Sequence, residues 1–201
     1  MLLTQIGFLM TSVKAAAVVT HVFNPTVVAA FTFLLLLCWH NASPPLAVVS
    51  LTFGTFVPLA IIYLLSKRGL ISDFFVSEKK ERAKPFAGAI LSYLTGSLTL
   101  WLLRAPPIVT ALMLCYAGNT LLMMLITRRW KISVHASGIA GPTIVLIESL
   151  GGWTSIFFAL LIPVAWARIR LKAHTPTQIL AGALVTIAAT WVQLKIYLAV
   201  L

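Results

Sequence analysis

The feature that most constrains this chain is the alternation of long apolar runs with short segments that hold nearly all of its charge. A helix rises ~1.5 Å per residue, so about 20 apolar residues cross a hydrocarbon layer ~30 Å thick. Windows of that kind recur through the sequence. In lipid an unpaired backbone group finds no water, which restricts a spanning segment to a helix or to a strand of a closed barrel. The runs lack the two-residue alternation of barrel strands, so helices are predicted. With 60% hydrophobic and 9% charged residues among 201, against about a half and a quarter in soluble domains, the excess calls for lipid. The expected fold is all-α, a single membrane-embedded domain over residues 1–201 with about six or seven transmembrane helices. No nucleic-acid partner is expected.

Punctuation in the sequence places the spans. Residues 2–20 are apolar but interrupted by Thr4, Gln5, Ser12 and Lys14, and are read as an interfacial helix, with a first span as the alternative. The first residues carry no basic leader region and no small-residue cleavage site, so this helix is expected to stay. Asn24-Pro25 is a helix-start pair, a capping oxygen followed by an imino acid where no donor is needed. Spans follow at about 25–39, 46–66, 86–103, 107–127, 133–149 and 153–169, and from about 175 to the C-terminus. Ser43-Pro44-Pro45, Arg104-Ala105-Pro106-Pro107 and Gly151-Gly152 form turns. Cys38 and Cys115 sit inside apolar runs, where a thiol is a small hydrophobe.

Seven crossings put three polar segments, 67–84, 128–135 and 168–178, on one membrane face. They hold six, three and three of the 15 Lys and Arg, leaving Lys14, Arg104 and Lys195 elsewhere. A basic face is what the positive-inside rule demands of cytoplasmic loops. That rule does not account for His135 and His174 inside the same segments, since neutral histidine contributes little to topology. A site for an anionic head group accounts for both.

Residues 131–135 read KISVH and open a helix, whose free amides and dipole favour a phosphate oxygen. Residues 167–178 read ARIRLKAHTPTQ, which ends one span at Arg168 and starts the next near His174, with Gln178 one turn later. On these residues the chain resembles the type 2 phosphatidic acid phosphatases, membrane lipid phosphatases whose motifs are commonly written KxxxxxxRP, PSGH and SRxxxxxHxxxD. Ile132-Ser133-Val134-His135 matches the second motif at Ser and His. Arg168, His174 and Gln178 reproduce the spacing of the third, with Ala167 for its Ser and Gln178 for its Asp. The first motif is weaker: Lys84-Pro85 stands for its RP, but Ser77 lies where its Lys is expected, which leaves Lys79 or Arg82 to supply that cation. The resemblance covers about residues 67–182.

The resemblance implies a phosphatase acting on an amphipathic lipid through a phosphohistidine. In it Arg168, with Ser133, Lys79, Arg82, Lys84 and Lys131, binds the substrate phosphate, His174 attacks phosphorus, and His135 protonates the leaving oxygen. Isoprenyl diphosphate, phosphatidate and phosphatidylglycerol phosphate are candidate substrates, and membrane lipids are the expected surroundings. The scheme requires no cofactor and no metal, and the sequence has no HxxxH or CxxC spacing. Gln178 is expected to orient His174 through its carbonyl but to stabilise imidazolium less than the family's aspartate would. A slower enzyme, or a relative that only binds lipid phosphate, is the alternative. A transporter is disfavoured by the absence of visible repeats. Asp73, Glu78 and Glu81 are read as a solvated face beside lysines, Glu148 as facing water, and Trp130, Trp153, Trp166 and Trp191 as interfacial anchors.

Overall fold

The computed structural model describes residues 2–76 and 78–201, with backbone alone for residues 2–9. Ser77, which occupies a first-motif position, lies outside the described residues. The chain folds as an all-α bundle. Eight long helices succeed one another among the described residues, α1 (Leu2–Val22), α2 (Pro25–Trp39), α3 (Pro44–Lys67), α4 (Ala83–Leu102), α5 (Pro107–Thr127), α6 (Val134–Leu150), α7 (Gly152–Arg170) and α8 (Pro176–Val200), with a single 3₁₀ turn at Lys79–Glu81 before α4.

Five of these, α3, α4, α5, α7 and α8, are each long and apolar enough to cross a membrane. The first two helices form a bent pair, in which Met10–Val22 meets α2 at 42° and the two together meet the same criterion. Taken alone, α2 has 15 residues, a reach of ~22 Å. Its start follows from chemistry: Asn24 Oδ1 accepts from Thr26 N at 3.0 Å and from Thr26 Oγ1 at 2.7 Å, and Pro25 follows as the first helical residue. The seventh expected crossing rests on α6, apolar but only 17 residues long, or ~25 Å.

Helix irregularities follow prolines and glycines. In α3 a π-turn at Thr52–Phe56 precedes Pro58, and Val57 N–H reaches Thr52 O, five residues back. The missing donor of Pro58 is absorbed where the ladder has already widened. After Gly151, at φ 100°, α7 starts as a 3₁₀-helix over Gly152–Leu160 and relaxes to α-helix at Leu161.

The apolar core lies where α2, α4, α5, α6 and α8 meet, and includes Phe33, Leu36, Leu100, Val109, Leu112, Met113, Val145 and Leu194. A smaller cluster, Ala136, Ala140, Ile179 and Ala183, joins α6 to α8. The close approach there is fixed by Gly182, where a Cβ would stand 2.5 Å from the backbone oxygen of Ser133. That proximity lets Ser133 N donate to Gln178 O at 3.1 Å and docks the start of α6 on the start of α8.

The three basic segments meet at one end of the bundle. Arg82 donates from Nε to Val76 O at 3.0 Å and from Nη1 to Ile132 O at 3.2 Å. Lys79 Nζ reaches the carbonyls of Arg128 and Arg129. On the outside, α1 packs along α7, with Arg170 donating from Nε and Nη2 to Ser12 Oγ at 2.9 and 2.7 Å.

Candidate functional site

Arg168 and His174 are joined by the ending of α7. Lys172 adopts a left-handed conformation at φ 51°. Ala173 N then donates to Arg168 O, five residues back, at 3.0 Å, and His174 N approaches the same oxygen at 3.4 Å. This Schellman-type turn folds the chain back on the helix end, and it gives the Arg-x5-His spacing a physical meaning. Arg168 Nε donates to His174 Nδ1 at 3.5 Å, at the long limit of a hydrogen bond.

The second histidine comes from the first turn of α6. Ser133 caps that helix, its Oγ accepting from Ala136 N at 3.3 Å, and His135 follows two residues later. Ser133 is 0% exposed, and both its hydroxyl and its amide serve the backbone rather than the cavity. Arg82, Arg168, His135 and His174 are all buried and all line one cavity of about 120 Å³. Among the described residues the Nε2 atoms of both histidines are buried without a hydrogen-bond partner, a costly state unless a ligand or solvent completes it.

Away from these four groups the cavity wall is mostly apolar, with Pro58 and Ile62 of α3 and Pro85, Phe86 and Ala89 of α4 among its residues and Asn24, Thr26, Tyr93 and Thr120 as its other polar groups. Asn24, Pro25 and Thr26 at the bend between α1 and α2 complete one side, and the segment Phe74-Phe75-Val76 covers another. The Phe75 ring lies between two imidazoles, 4.8 Å from His21 and 6.0 Å from His135. Sequence reasoning did not find these lining residues. The Asn24-Pro25 pair is a helix-start signal in the sequence, but nothing local says that it borders a site.

The electrostatics are those of an anion site. Burial, with Arg168, Arg82 and Lys131 adding positive potential, pushes His174 down to about 3, so its imidazole is neutral at pH 7. Burial and then Arg168 lower the Arg82 guanidinium to about 10, against the opposing pull of Asp73 and Glu78. Lys131 is lowered chiefly by burial and next by Arg82. A guanidinium Nε–H can only donate, so His174 Nδ1 facing it is the acceptor and the neutral ring carries its proton on Nε2.

The remaining sequence-selected residues lie elsewhere. Lys79 is tied to the end of α5, Lys84 is exposed on α4, and Lys131 acts on the site through its charge without lining the cavity. The Gln178 side chain accepts from Thr175 N at 3.1 Å, closing a capping box at the start of α8. Its amide is thereby engaged one turn from His174, and the expected orienting bond to that ring is not made.

The loop acids brace backbone. Glu81 Oε2 accepts from Ser72 N at 2.7 Å and Ser72 Oγ at 2.9 Å, and Asp73 Oδ1 accepts from Phe75 N at 2.8 Å. Among the described residues no group of three or more His, Cys, Asp or Glu side chains is arranged to hold a metal ion. No family model, curated protein or solved structure matches the chain.

Proposed function

We propose that this chain is an integral membrane phosphatase for the phosphomonoester or diphosphate of an amphipathic lipid. The observation that carries the reading is one cavity in which two buried arginines and two buried histidines face a mostly apolar wall. A phosphate is the anion two guanidinium groups hold best, and an apolar wall suits a hydrocarbon chain.

In the proposed cycle the lipid phosphate draws the Arg168 Nε–H away from His174 onto a phosphate oxygen. The imidazole proton can then reside on Nδ1, leaving the Nε2 lone pair to attack phosphorus. A P–N bond forms while the P–O bond to the lipid breaks, and His135, which takes up a proton as the anionic phosphate binds, gives that proton to the departing oxygen. Water, deprotonated by His135, then cleaves P–N and releases phosphate. Arg82 and Arg168 stabilise the charge spread over the equatorial oxygens. Phosphatidate, phosphatidylglycerol phosphate and isoprenyl phosphates are the substrates to try.

A second reading, a protein that binds lipid phosphate without turning it over, is favoured by one observation. His174 Nδ1 faces Arg168 instead of a carboxylate, so nothing on its far side stabilises imidazolium. Phosphate release by detergent-purified protein over that lipid panel, wild type against His174→Ala, separates the two readings. Release that the substitution abolishes supports the phosphatase. Retention of lipid phosphate by wild type without any release assigns the binding protein.

A further inference from the structure

The cations that the candidate site leaves out, Lys79, Lys80 and Arg128, gather with Arg82 around another cavity. A second cavity, of about 190 Å³, opens beside the first, with Lys79, Lys80, Arg82 and Arg128 at its charged end and Phe86 and Met124 as its apolar part. Among the described residues no acidic side chain lines it. Glu81, the nearest acid in sequence to Lys80, is held by Ser72. Lys79, Lys80 and Arg128 have no carboxylate partner among the described residues. Lys79 is steadied only by long bonds to the Arg128 and Arg129 carbonyls, 3.4 and 3.3 Å.

The order of residues along the two helices identifies the ligand class. Phe86 lies four residues into α4 from Arg82, and Met124 lies four residues into α5 from Arg128, one helical turn of ~5.4 Å in each case. The cavity therefore passes from charge to hydrocarbon in the direction a phospholipid does. A free anion has no use for the apolar part.

We infer that the groove between α4 and α5 binds the phosphate-bearing head group of an anionic membrane phospholipid at Lys80 and Arg128, with its chain against Phe86 and Met124. The site is separate from the histidine cavity, which it meets only at Arg82 and Phe86. Nothing in it requires turnover, so it stands or falls independently of the phosphatase reading.

The test uses the whole protein in phosphatidylcholine nanodiscs doped with phosphatidylglycerol, read by native mass spectrometry as bound lipid per protein. Lys80→Gln with Arg128→Gln removes two exposed cations and is expected to weaken phosphatidylglycerol retention by about thirty-fold, the worth of two basic residues near an anionic lipid surface. Phosphatidylcholine should be unaffected. Arg104→Gln with Lys195→Gln, which removes two exposed cations outside both cavities, is expected to leave the retained lipid in place. Equal retention by the Lys80 and Arg128 double variant, equal retention of phosphatidylcholine by wild type, or equal loss of the lipid in the Arg104 and Lys195 double variant would each overturn the site. So would protection of wild type by inorganic phosphate with no phospholipid retained, since the cavity would then belong to a free anion.

Discussion

The two ends of this bundle treat charge in opposite ways. At one end Arg82, Arg168, His135 and His174 are buried together, two of them cations and none of them held by a carboxylate lining the cavity. At the other, Lys195 and Glu148 form an ion pair at 3.0 Å with both side chains well exposed, beside a core of Phe33, Leu100 and Val109 that is 0% exposed. Burying charge is costly even where Asp73 and Glu78 offset part of it, and the second end avoids that cost. The first end accepts it, which marks the arginine and histidine cluster as a place organised for a ligand rather than for stability.

The comparison breaks first if the buried cluster is inert. His174→Ala or Arg168→Ala is expected to lower phosphate release by at least about 10³-fold while circular dichroism and the detergent melting temperature hold or rise. A core change should do the reverse: Phe33→Ala is expected to cost about 3 kcal/mol, with activity per folded molecule retained in a melt-corrected assay. Gly182→Ala joins the two effects. Its Cβ would press on the Ser133 carbonyl, for an expected loss of about 1–3 kcal/mol together with reduced release, because the His135 helix start must shift.

Acid sharpens the contrast. The folded His174 pKa of about 3 lies below its ordinary 6.5, so the unfolded chain binds the extra proton first. Its contribution to stability is present above pH 6.5 and declines as pH falls toward 3. A pH series of melting temperatures should show a shallower acid decline in His174→Gln than in wild type, and bound phosphate should raise the ring's pKa, visible by NMR. The smallest effect belongs to the opposite end: Lys195→Ala is expected to change the melt by no more than about 0.5 kcal/mol and release not at all.

Much of this was legible because bilayer length and punctuating residues act locally. Asn24-Pro25 and Thr175-Pro176 start helices where a cap and a first-turn proline predict, α3 opens at Pro44 inside the segment read as a turn, and the three basic segments do meet at one end. The spacing from Arg168 to His174 was also readable, since it is the length of a helix ending plus its return turn. Gln178 was not, because a glutamine three residues after a capping threonine satisfies a backbone amide as well as it could an imidazole, and only geometry shows which partner it takes. Nor could sequence choose among Lys79, Arg82 and Lys84. That choice depends on helical phase at the start of α4, where Arg82 turns inward and the two lysines do not. The Phe74-Phe75-Val76 cover depends on long-range packing that no spacing encodes.

The 42° bend between α1 and α2 has a mechanical consequence. Its corner residues, Asn24 to Thr26, are also wall residues of the histidine cavity, so any change in tilt of the first helix moves that wall. Helices tilt to match the thickness of the bilayer around them. A thicker or thinner bilayer is therefore expected to change the aperture of the cavity without any ligand, which accessibility labelling at Thr26 in bilayers of different thickness would read.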